Sequence, residues 1–347
     1  MGERPGEATA REPQRMGETQ PVAPFDPRAS LNILANAASG SHDDGSLREQ
    51  IAQALLEAGR EADVRFCSPG EIEGAAREAA ADAHRRNSAV VAVGGDGTLS
   101  TVANAAHRAD CAMGIVPQGT FNYFGRTHGV PQDALEAMRL LLASTPQPVQ
   151  VAAVNDRLFL VNASLGLYPD LLEDREAYKA RFGRSRMIAF GAAVMTVLRA
   201  QRLLDLQLEH ESAPRKLRAL TLFVGNNRLQ LEQVGVAAPA VDDVARPDGR
   251  LAAIVLRPIG IPSMLWLMAR GAMGSLGAAQ DVDHFEFETM RVRASIGYGR
   301  RVKVACDGEV EWQRSPLEFR VLPRPLYLLK PDALPAIAPG NDGTLAG

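Results

Sequence analysis

Apolar runs and helix-like segments alternate along residues 30–143. Leu31–Ala35, Ala89–Val93 and Met113–Val116 are short apolar runs of the kind that strands buried on both faces show, and Asp63–Phe66 predicts a further strand. Spacing or composition predicts four intervening helices: Ser46–Ala58, Glu71–Arg86, Thr98–His107 and Gln132–Ala143. This alternation predicts a parallel sheet with helices on both of its faces.

From about residue 148 the pattern changes to short apolar or alternating runs separated by turn residues. Asn155-Asp156-Arg157 lies between Val149–Val154 and Leu158–Ala163, which is a hairpin signal. Further strands are predicted at Leu204–Glu209, Leu217–Val224, Arg250–Leu256, His284–Arg293, Arg301–Ala305 and Leu317–Val321, and helices at Arg184–Leu204 and Pro262–Gly274. This half of the chain therefore predicts a mostly antiparallel, β-rich domain.

These patterns divide the chain into an α/β domain over residues 30–148 and a β-rich domain over residues 149–330. Residues 1–29 are rich in proline and charge and poor in large apolar side chains, so burial cannot offset the entropy of ordering them. We expect a disordered tail there and a flexible tail over residues 331–347.

Composition excludes several classes of function. The chain has 38 Lys+Arg against 41 Asp+Glu, a formal net charge of −3, so the whole-chain charge predicts no nucleic-acid partner. Its three cysteines are far apart and odd in number, which predicts no disulfide framework and favours a reducing, cytoplasmic location. We find no secretory signal, and no apolar run reaches the roughly 18 residues that a transmembrane segment needs.

Three polar or glycine-rich loops directly follow predicted strands. They are Asn36–Gly40, Gly94–Thr98 and Pro117–Asn122. In an open parallel sheet such loops emerge at one edge, where ligands bind. Glycines leave backbone N–H groups accessible, and a helix that begins after the loop adds a partial positive charge. Turn residues alone would explain any single loop, but together the three favour a polyphosphate ligand.

Asp96 lies in the central loop, where a carboxylate would repel a phosphate. A Mg²⁺ ion between the two would remove this conflict. The alternative is that Asp96 caps the following helix.

Four segments in this order resemble the diacylglycerol kinase catalytic-domain family, which includes bacterial lipid kinases, sphingosine kinases and ceramide kinases and is distantly related to NAD kinases. Val90–Ala106 (VVAVGGDGTLSTVANAA) resembles the family's core motif. Asn36–Gly40 resembles its first phosphate loop, with Ala37 at a usual proline. Met113–Arg126 resembles its Gly-Thr-x-Asn segment, and Val304–Glu309 its Asp-Gly-Glu motif. Order and spacing agree over about residues 30–330.

The resemblance implies a Rossmann-like nucleotide-binding domain of the NAD kinase and diacylglycerol kinase type, followed by an antiparallel β-rich domain for a lipid substrate. ATP and Mg²⁺ would bind in the cleft between them. The residues implied for ATP are Asn36, Ser39, Gly40, Gly94, Gly95, Asp96, Gly97, Thr98, Gly119, Thr120 and Asn122, and those implied for the metal are Asp96 and Asp248.

The resemblance also implies that Asp307 and Glu309 are catalytic, with Asp307 preferred as the base that accepts the proton of the lipid hydroxyl. Asp307-Gly308 is equally a typical hairpin turn between Arg301–Ala305 and Val310–Trp312. One departure from the family is Tyr123, where many bacterial lipid kinases have an aspartate.

The resulting hypothesis is an ATP-dependent lipid kinase that associates peripherally with the membrane. Arg181–Ile188 and Pro262–Met268, which combine apolar residues with arginine or tryptophan, are candidate membrane contacts. A soluble kinase acting on NAD or another diffusible alcohol is one alternative. A nucleotide-binding regulator without turnover, suggested by Tyr123, is another. The sequence specifies neither the lipid nor the oligomeric state.

Overall fold

The computed structural model describes residues 24–37, 44–166, 169, 203–210, 214–226, 249–258, 282–295 and 301–331. The predicted helices at Arg184–Leu204 and Pro262–Gly274, apart from residues 203 and 204, lie outside these ranges, as do both candidate membrane contacts. No helix in the described ranges is both long and apolar enough to cross a membrane.

The N-terminal part forms an α/β unit in which strands and helices alternate. Its elements are β1 (Leu31–Asn36), α1 (Asp44–Ala58), β2 (Ala62–Cys67), α2 (Ile72–Arg85), β3 (Ala89–Gly94), α3 (Asp96–Ala109), β4 (Ala112–Pro117), α4 (Tyr123–Thr127), α5 (Ala134–Leu142) and β5 (Thr145–Val149). Strands β2, β1, β3 and β4 lie side by side and pair in parallel. β3 and β4 are buried throughout, as their continuous apolar runs predicted.

The first sheet is completed by the last described strand, β18 (Leu326–Lys330), which lies between β4 and β5. It runs parallel to β4 and antiparallel to β5. The sequence analysis missed β5 because Pro146 and Pro148 argue against a strand, but an edge strand tolerates proline.

The position of β18 corrects the predicted domain assignment of the C-terminal residues. Residues 326–330 were assigned to the β-rich domain, and they form part of the α/β sheet instead. The β-rich unit is therefore an insertion between β5 and β18, attached to the α/β unit at both of its ends.

The β-rich unit consists of two antiparallel six-stranded sheets around a common apolar core. Its strands are β6 (Ala152–Val154), β7 (Arg157–Phe159), β8 (Asn162–Gly166), β9 (Leu204–Glu209), β10 (Arg215–Ala219), β11 (Thr221–Gly225), β12 (Leu251–Leu256), β13 (Val282–Phe287), β14 (Thr289–Ser295), β15 (Arg301–Cys306), β16 (Glu309–Arg314) and β17 (Leu317–Val321). One sheet has the order β10-β9-β14-β17-β6-β7 and the other β13-β12-β11-β8-β15-β16. Leu165, Val224 and Val304 from the second and Leu206, Val292 and Phe319 from the first share the core. The predicted α/β plus antiparallel β-rich fold class is confirmed.

Two predicted strands are each two strands in different sheets. The run Leu217–Val224 is divided at Leu220 between β10 and β11, and the run His284–Arg293 is divided at Glu288 between β13 and β14. Core-facing residues alternate within each half, but the alternation shifts by one residue at each crossing, from Ala219 to Leu222 and from Phe287 to Met290. The sequence analysis treated each run as one strand because apolar residues continue on both sides of the shift.

A buried histidine, His128, lies at the C-terminal end of α4. The His128 ring packs edge-on against Phe124 at a centroid distance of 4.6 Å and is almost inaccessible to solvent. Burial is the main cause that lowers the pKa of His128 from 6.5 to about 3, and the positive charge of Lys330 adds to this effect. The folded protein therefore keeps this ring neutral at pH values where an unfolded chain protonates it.

Acidification is expected to destabilise the protein through His128. Because the pKa is lower in the folded state, this contribution to stability is complete above about pH 6.5 and is lost as the pH falls from there towards 3. Between pH 6.5 and 4.5 the loss from this one group amounts to about 2 kcal/mol. Urea unfolding at both pH values should show that His128→Leu loses this component, whereas His84→Leu, at an exposed histidine, keeps it. Equal pH dependence of wild type and His128→Leu would contradict this explanation.

Candidate active site

The loops after β1, β3 and β4 meet at one edge of the sheet, as the sequence predicted. The Asn36 amide donates a hydrogen bond to Thr98 Oγ1 at 2.9 Å, joining the end of β1 to the first turn of α3. The Gln118 N–H donates to the Gly94 carbonyl at 2.8 Å, joining the loops after β3 and β4. Ser39, Gly40 and Asp248 lie outside the described residues, so their predicted roles stay predictions.

Two of the predicted glycines, Gly94 and Gly119, are required by close packing within this edge. A Cβ on Gly94 would lie 2.7 Å from Thr98 Cβ, and a Cβ on Gly119 would lie 2.8 Å from Gly95 Cα. No side chain caps the N-terminus of α3, which begins after Gly95 in an extended conformation. The N-terminus of this 14-residue helix therefore lacks a side-chain cap, which is the condition in which a helix N-terminus binds an anion.

Asp96 caps a helix, but the helix is α4 rather than its own α3. Its carboxylate accepts hydrogen bonds from the N–H groups of Tyr123 at 3.3 Å and Phe124 at 3.4 Å. Burial raises the pKa of Asp96, and the N–H groups of α4 partly oppose this effect. The carboxylate thus connects the loops after β3 and β4 from a half-buried position.

Asn122 holds the loop after β4 in place. Its Oδ1 accepts from the Gly119 N–H at 2.7 Å, while its Nδ2 donates to the Gly119 carbonyl at 2.9 Å and to Gln132 Oε1 at 2.6 Å. The amide oxygen and both amide hydrogens are therefore engaged within the protein. The neighbouring Thr120 is exposed on the same loop.

Asp307 is buried and accepts hydrogen bonds from three consecutive backbone N–H groups. Only 7% of the residue is exposed, and its carboxylate oxygens accept from Leu160 at 2.8 Å, Val161 at 2.8 Å and Asn162 at 3.1 Å. Burial raises the pKa of Asp307, while these N–H groups and the hydroxyl of Ser100 on α3 lower it. Asp307 therefore stabilises the segment between β7 and β8 beside α3.

Asp307 and Gly308 also form the turn between β15 and β16, as the alternative interpretation predicted. Both have positive φ angles, 48° and 88°, and Cys306 pairs with Glu309 across the turn. This hairpin places Glu309 at the first position of β16, immediately beside the α/β unit.

Glu309 lies directly over the first turn of α3. A Cβ on Gly97 would be only 2.9 Å from Glu309 Oε1, so the carboxylate occupies the space that a side chain there would fill. The other oxygen, Oε2, accepts a hydrogen bond from Arg157 Nη2 at 2.7 Å. The structure thus brings a carboxylate of the β-rich unit to the glycine loop of the α/β unit.

The sequence analysis missed Arg157 as a residue of this site. It treated Asn155-Asp156-Arg157 as a turn, whereas the turn is Asn155-Asp156 and Arg157 is the first residue of β7. No local signal could have identified it, because its partner Glu309 is 152 positions away in the sequence.

The polar groups at this edge of the sheet suit magnesium better than a metal ion whose ligands all come from protein side chains. Among the described residues there is no group of three or more His, Cys, Asp or Glu side chains that could hold a metal. Magnesium typically keeps several waters and binds one or two carboxylates together with substrate phosphates. A single half-buried carboxylate, Asp96, beside accessible N–H groups fits this mode of binding.

The structure thus places the N-terminus of α3, which no side chain caps, opposite the Glu309 carboxylate of the β-rich unit. Residues 30–154 match the family model of the diacylglycerol kinase catalytic domain. The resemblance to this family seen in the motifs is therefore confirmed over residues 30–154.

Relatives of known name agree with the family. The chain is 32% identical over 143 residues to a YegS-like lipid kinase of Klebsiella pneumoniae (strain 342), a match that spans 40% of this chain and 47% of the relative. It is 25% identical over 308 residues to a diacylglycerol kinase of Bacillus subtilis (strain 168), across 86% of this chain and 95% of that protein. These relatives support a kinase-type phosphotransferase.

Solved structures share the fold. A crystal structure of a diacylglycerol kinase from Bacillus anthracis str. Sterne superposes with a TM-score of 0.63 at 19% identity, covering 88% of this chain and 98% of that one. At this level of identity the likeness concerns the fold.

Proposed function

We propose that this protein is an ATP-dependent kinase that transfers the γ-phosphoryl group to a lipid hydroxyl. The observation that carries the proposal is the position of Glu309 over the first turn of α3, where a polyphosphate would bind. Phosphoryl transfer needs such a juxtaposition of positioned phosphate and acceptor-side carboxylate. The names of the relatives favour a lipid as the acceptor over NAD.

On the donor side, backbone N–H groups at the start of α3 and in the loop after β4 would bind the phosphates. Asn36 and Thr98 would lie at the edge of this phosphate-binding site. Gly95, Gly97 and Thr120 would face the nucleotide. Ser39 and Gly40 complete the proposed set. Asp96, with Asp248, would hold magnesium, which would neutralise the charge that develops on the phosphates.

On the acceptor side we assign the two carboxylates differently from the sequence analysis, which preferred Asp307 as the base. The oxygens of Asp307 already accept three backbone N–H groups in a buried position, which leaves little access for a hydroxyl. Glu309 is 54% exposed and lies at the glycine loop. We therefore propose Glu309 as the group that accepts the hydroxyl proton and Asp307 as the residue that positions the β7–β8 segment.

Tyr123 does not remove the carboxylate of Asp96 from the site. Its ring stacks on Phe121 at 5.3 Å, and its N–H donates to Asp96. This contact needs only the backbone of residue 123, so the arrangement supports turnover over a regulator without activity.

The direct test is to incubate the protein with magnesium and ATP labelled on its γ-phosphoryl group, offering either a total lipid extract or NAD. We expect label in the chloroform-soluble fraction and none in a dinucleotide. Labelled NADP without labelled lipid would identify the soluble alternative, and ATP binding without any product would identify the regulator.

The magnesium assignment predicts a specific change in Asp96→Asn. A lost metal ligand should raise the magnesium concentration for half-maximal activity by about tenfold or more. Asp133→Asn is the matched control, because Asp133 caps α5 by accepting the Glu136 N–H at 3.0 Å, as Asp96 caps α4. Lower thermal stability of Asp96→Asn with unchanged magnesium dependence would show that Asp96 is only a helix cap.

A further inference from the structure

The Glu309 carboxylate lies between two groups that both attract anions. Arg157 Nη2 contacts one of its oxygens at 2.7 Å, and the other is directly over Gly97 in the first turn of α3. The helix N-terminus carries a partial positive charge and exposed N–H groups. The Glu309 carboxylate thus has a guanidinium on one side and a helix N-terminus on the other.

The hydrogen-bonding capacity of Arg157 is not exhausted by this pair. In the described part of the structure its buried Nε makes no hydrogen bond, and a single contact joins its Nη2 to Glu309. A guanidinium is a planar fork that matches carboxylate or phosphate through two parallel hydrogen bonds. A tetrahedral phosphoryl group with three oxygens could engage both this fork and the N–H groups of α3.

We propose that Arg157 and the first turn of α3 form the subsite for the transferable phosphoryl group, and that Glu309 occupies this subsite until the nucleotide arrives. The inference rests on the proposed function and adds Arg157 to it as a residue that contacts the reacting group. Arrival of the γ-phosphoryl group exchanges one anion for another on Arg157 and releases the Glu309 carboxylate towards the acceptor. No covalent bond changes in this exchange.

A purely structural ion pair would behave differently. Arg157 and Glu309 both belong to the β-rich unit, on β7 and β16, and a pair that only joins these strands would not distinguish nucleotides by their number of phosphates. The proposed subsite does distinguish them, because only the triphosphate has a group that reaches it. Its two residues should also have opposite effects on binding, since one attracts the phosphoryl group and the other competes with it.

The test measures binding of ADP and of β,γ-imido-ATP, each with magnesium, by titration calorimetry. We expect Arg157→Gln to weaken the binding of the triphosphate analogue by at least about tenfold, because a hydrogen bond to a charged group is lost. The same substitution should change the affinity for ADP by less than about twofold. Glu309→Gln should tighten the analogue by about threefold or more, because the competing charge is removed. Arg320→Gln, which breaks an arginine–carboxylate pair on β17, is the matched control and should bind both ligands as wild type does.

Each other outcome overturns the inference in a recognisable way. If Arg157→Gln lowers the affinity for both ligands equally, or leaves both affinities unchanged, the subsite is rejected while the kinase proposal stays intact. If Glu309→Gln binds the analogue as tightly as wild type or more weakly, Glu309 does not occupy the subsite in the absence of nucleotide. Failure of the wild type to bind either nucleotide would reject the proposed function together with this inference.

Discussion

Replacing Glu309 by glutamine is expected to lower kcat for lipid phosphorylation by about 10²–10⁴-fold, the usual contribution of a positioned general base. The amide keeps the size of the side chain but cannot accept the proton of the attacking hydroxyl. Glu309 is 54% exposed at the start of β16, so the substitution should leave the fold unchanged. Initial rates at saturating ATP, together with a melting curve, measure both quantities.

The same strand provides a matched control in Glu311→Gln. Glu311 is two positions along β16, and it accepts a hydrogen bond from Gln313 rather than lying at the glycine loop. We expect this variant to keep kcat within about threefold of wild type, below the range of a lost base. If Glu309→Gln also stays within that limit, Glu309 is not the base.

Asp307→Asn is expected to destabilise the protein by about 1.5–3 kcal/mol, since at least one of its charge-assisted hydrogen bonds is lost or inverted. The better orientation of the new amide turns its NH₂ group towards the N–H of Leu160, and the other orientation turns it towards those of Val161 and Asn162. Asparagine tolerates the positive φ of 48°, so backbone strain would not contribute. Chemical denaturation measures the change directly.

Asp110→Asn makes the same substitution at another position with positive φ. Asp110 has φ 56° at the end of α3, and its side chain is 47% exposed and paired with Arg324 at 3.4 Å. We expect its stability to change by less than about 0.5 kcal/mol, as is usual for surface sites. If Asp307→Asn instead keeps full stability and loses turnover, Asp307 rather than Glu309 accepts the proton, as the sequence analysis preferred.

Local patterns predicted much of the proposed donor side of the site. The buried strands β3 and β4 have continuous apolar runs, and a helix was predicted to begin at Thr98, directly after the glycines that follow β3, close to the observed start of α3 at Asp96. The hairpin turn at Asp307-Gly308 was likewise one of the two interpretations of that dipeptide, and the structure contains it. These features depend on residues that are close in sequence, so spacing alone predicts them.

The proposed acceptor side could not be derived in this way, because its contacts join residues that are far apart in the chain. Asp307 looks like a free carboxylate until the packing of β8 beside β15 brings three N–H groups to it, from residues at least 145 positions away. The Arg157–Glu309 pair likewise joins β7 to β16, strands of different sheets.

The sequence by itself therefore determined the fold class, the resemblance to the family and the glycine loops, since these follow from periodicity and short motifs. Only the tertiary structure decided that Asp96 caps α4 rather than α3, that β18 returns to the first sheet, and that Glu309 rather than Asp307 lies at the glycine loop with an accessible carboxylate. The physical reason is that burial and hydrogen-bond saturation depend on which strands become neighbours. An acidic residue has the same charge in the sequence wherever it lies, and its environment in the folded protein decides whether it binds backbone N–H groups or remains available to a substrate.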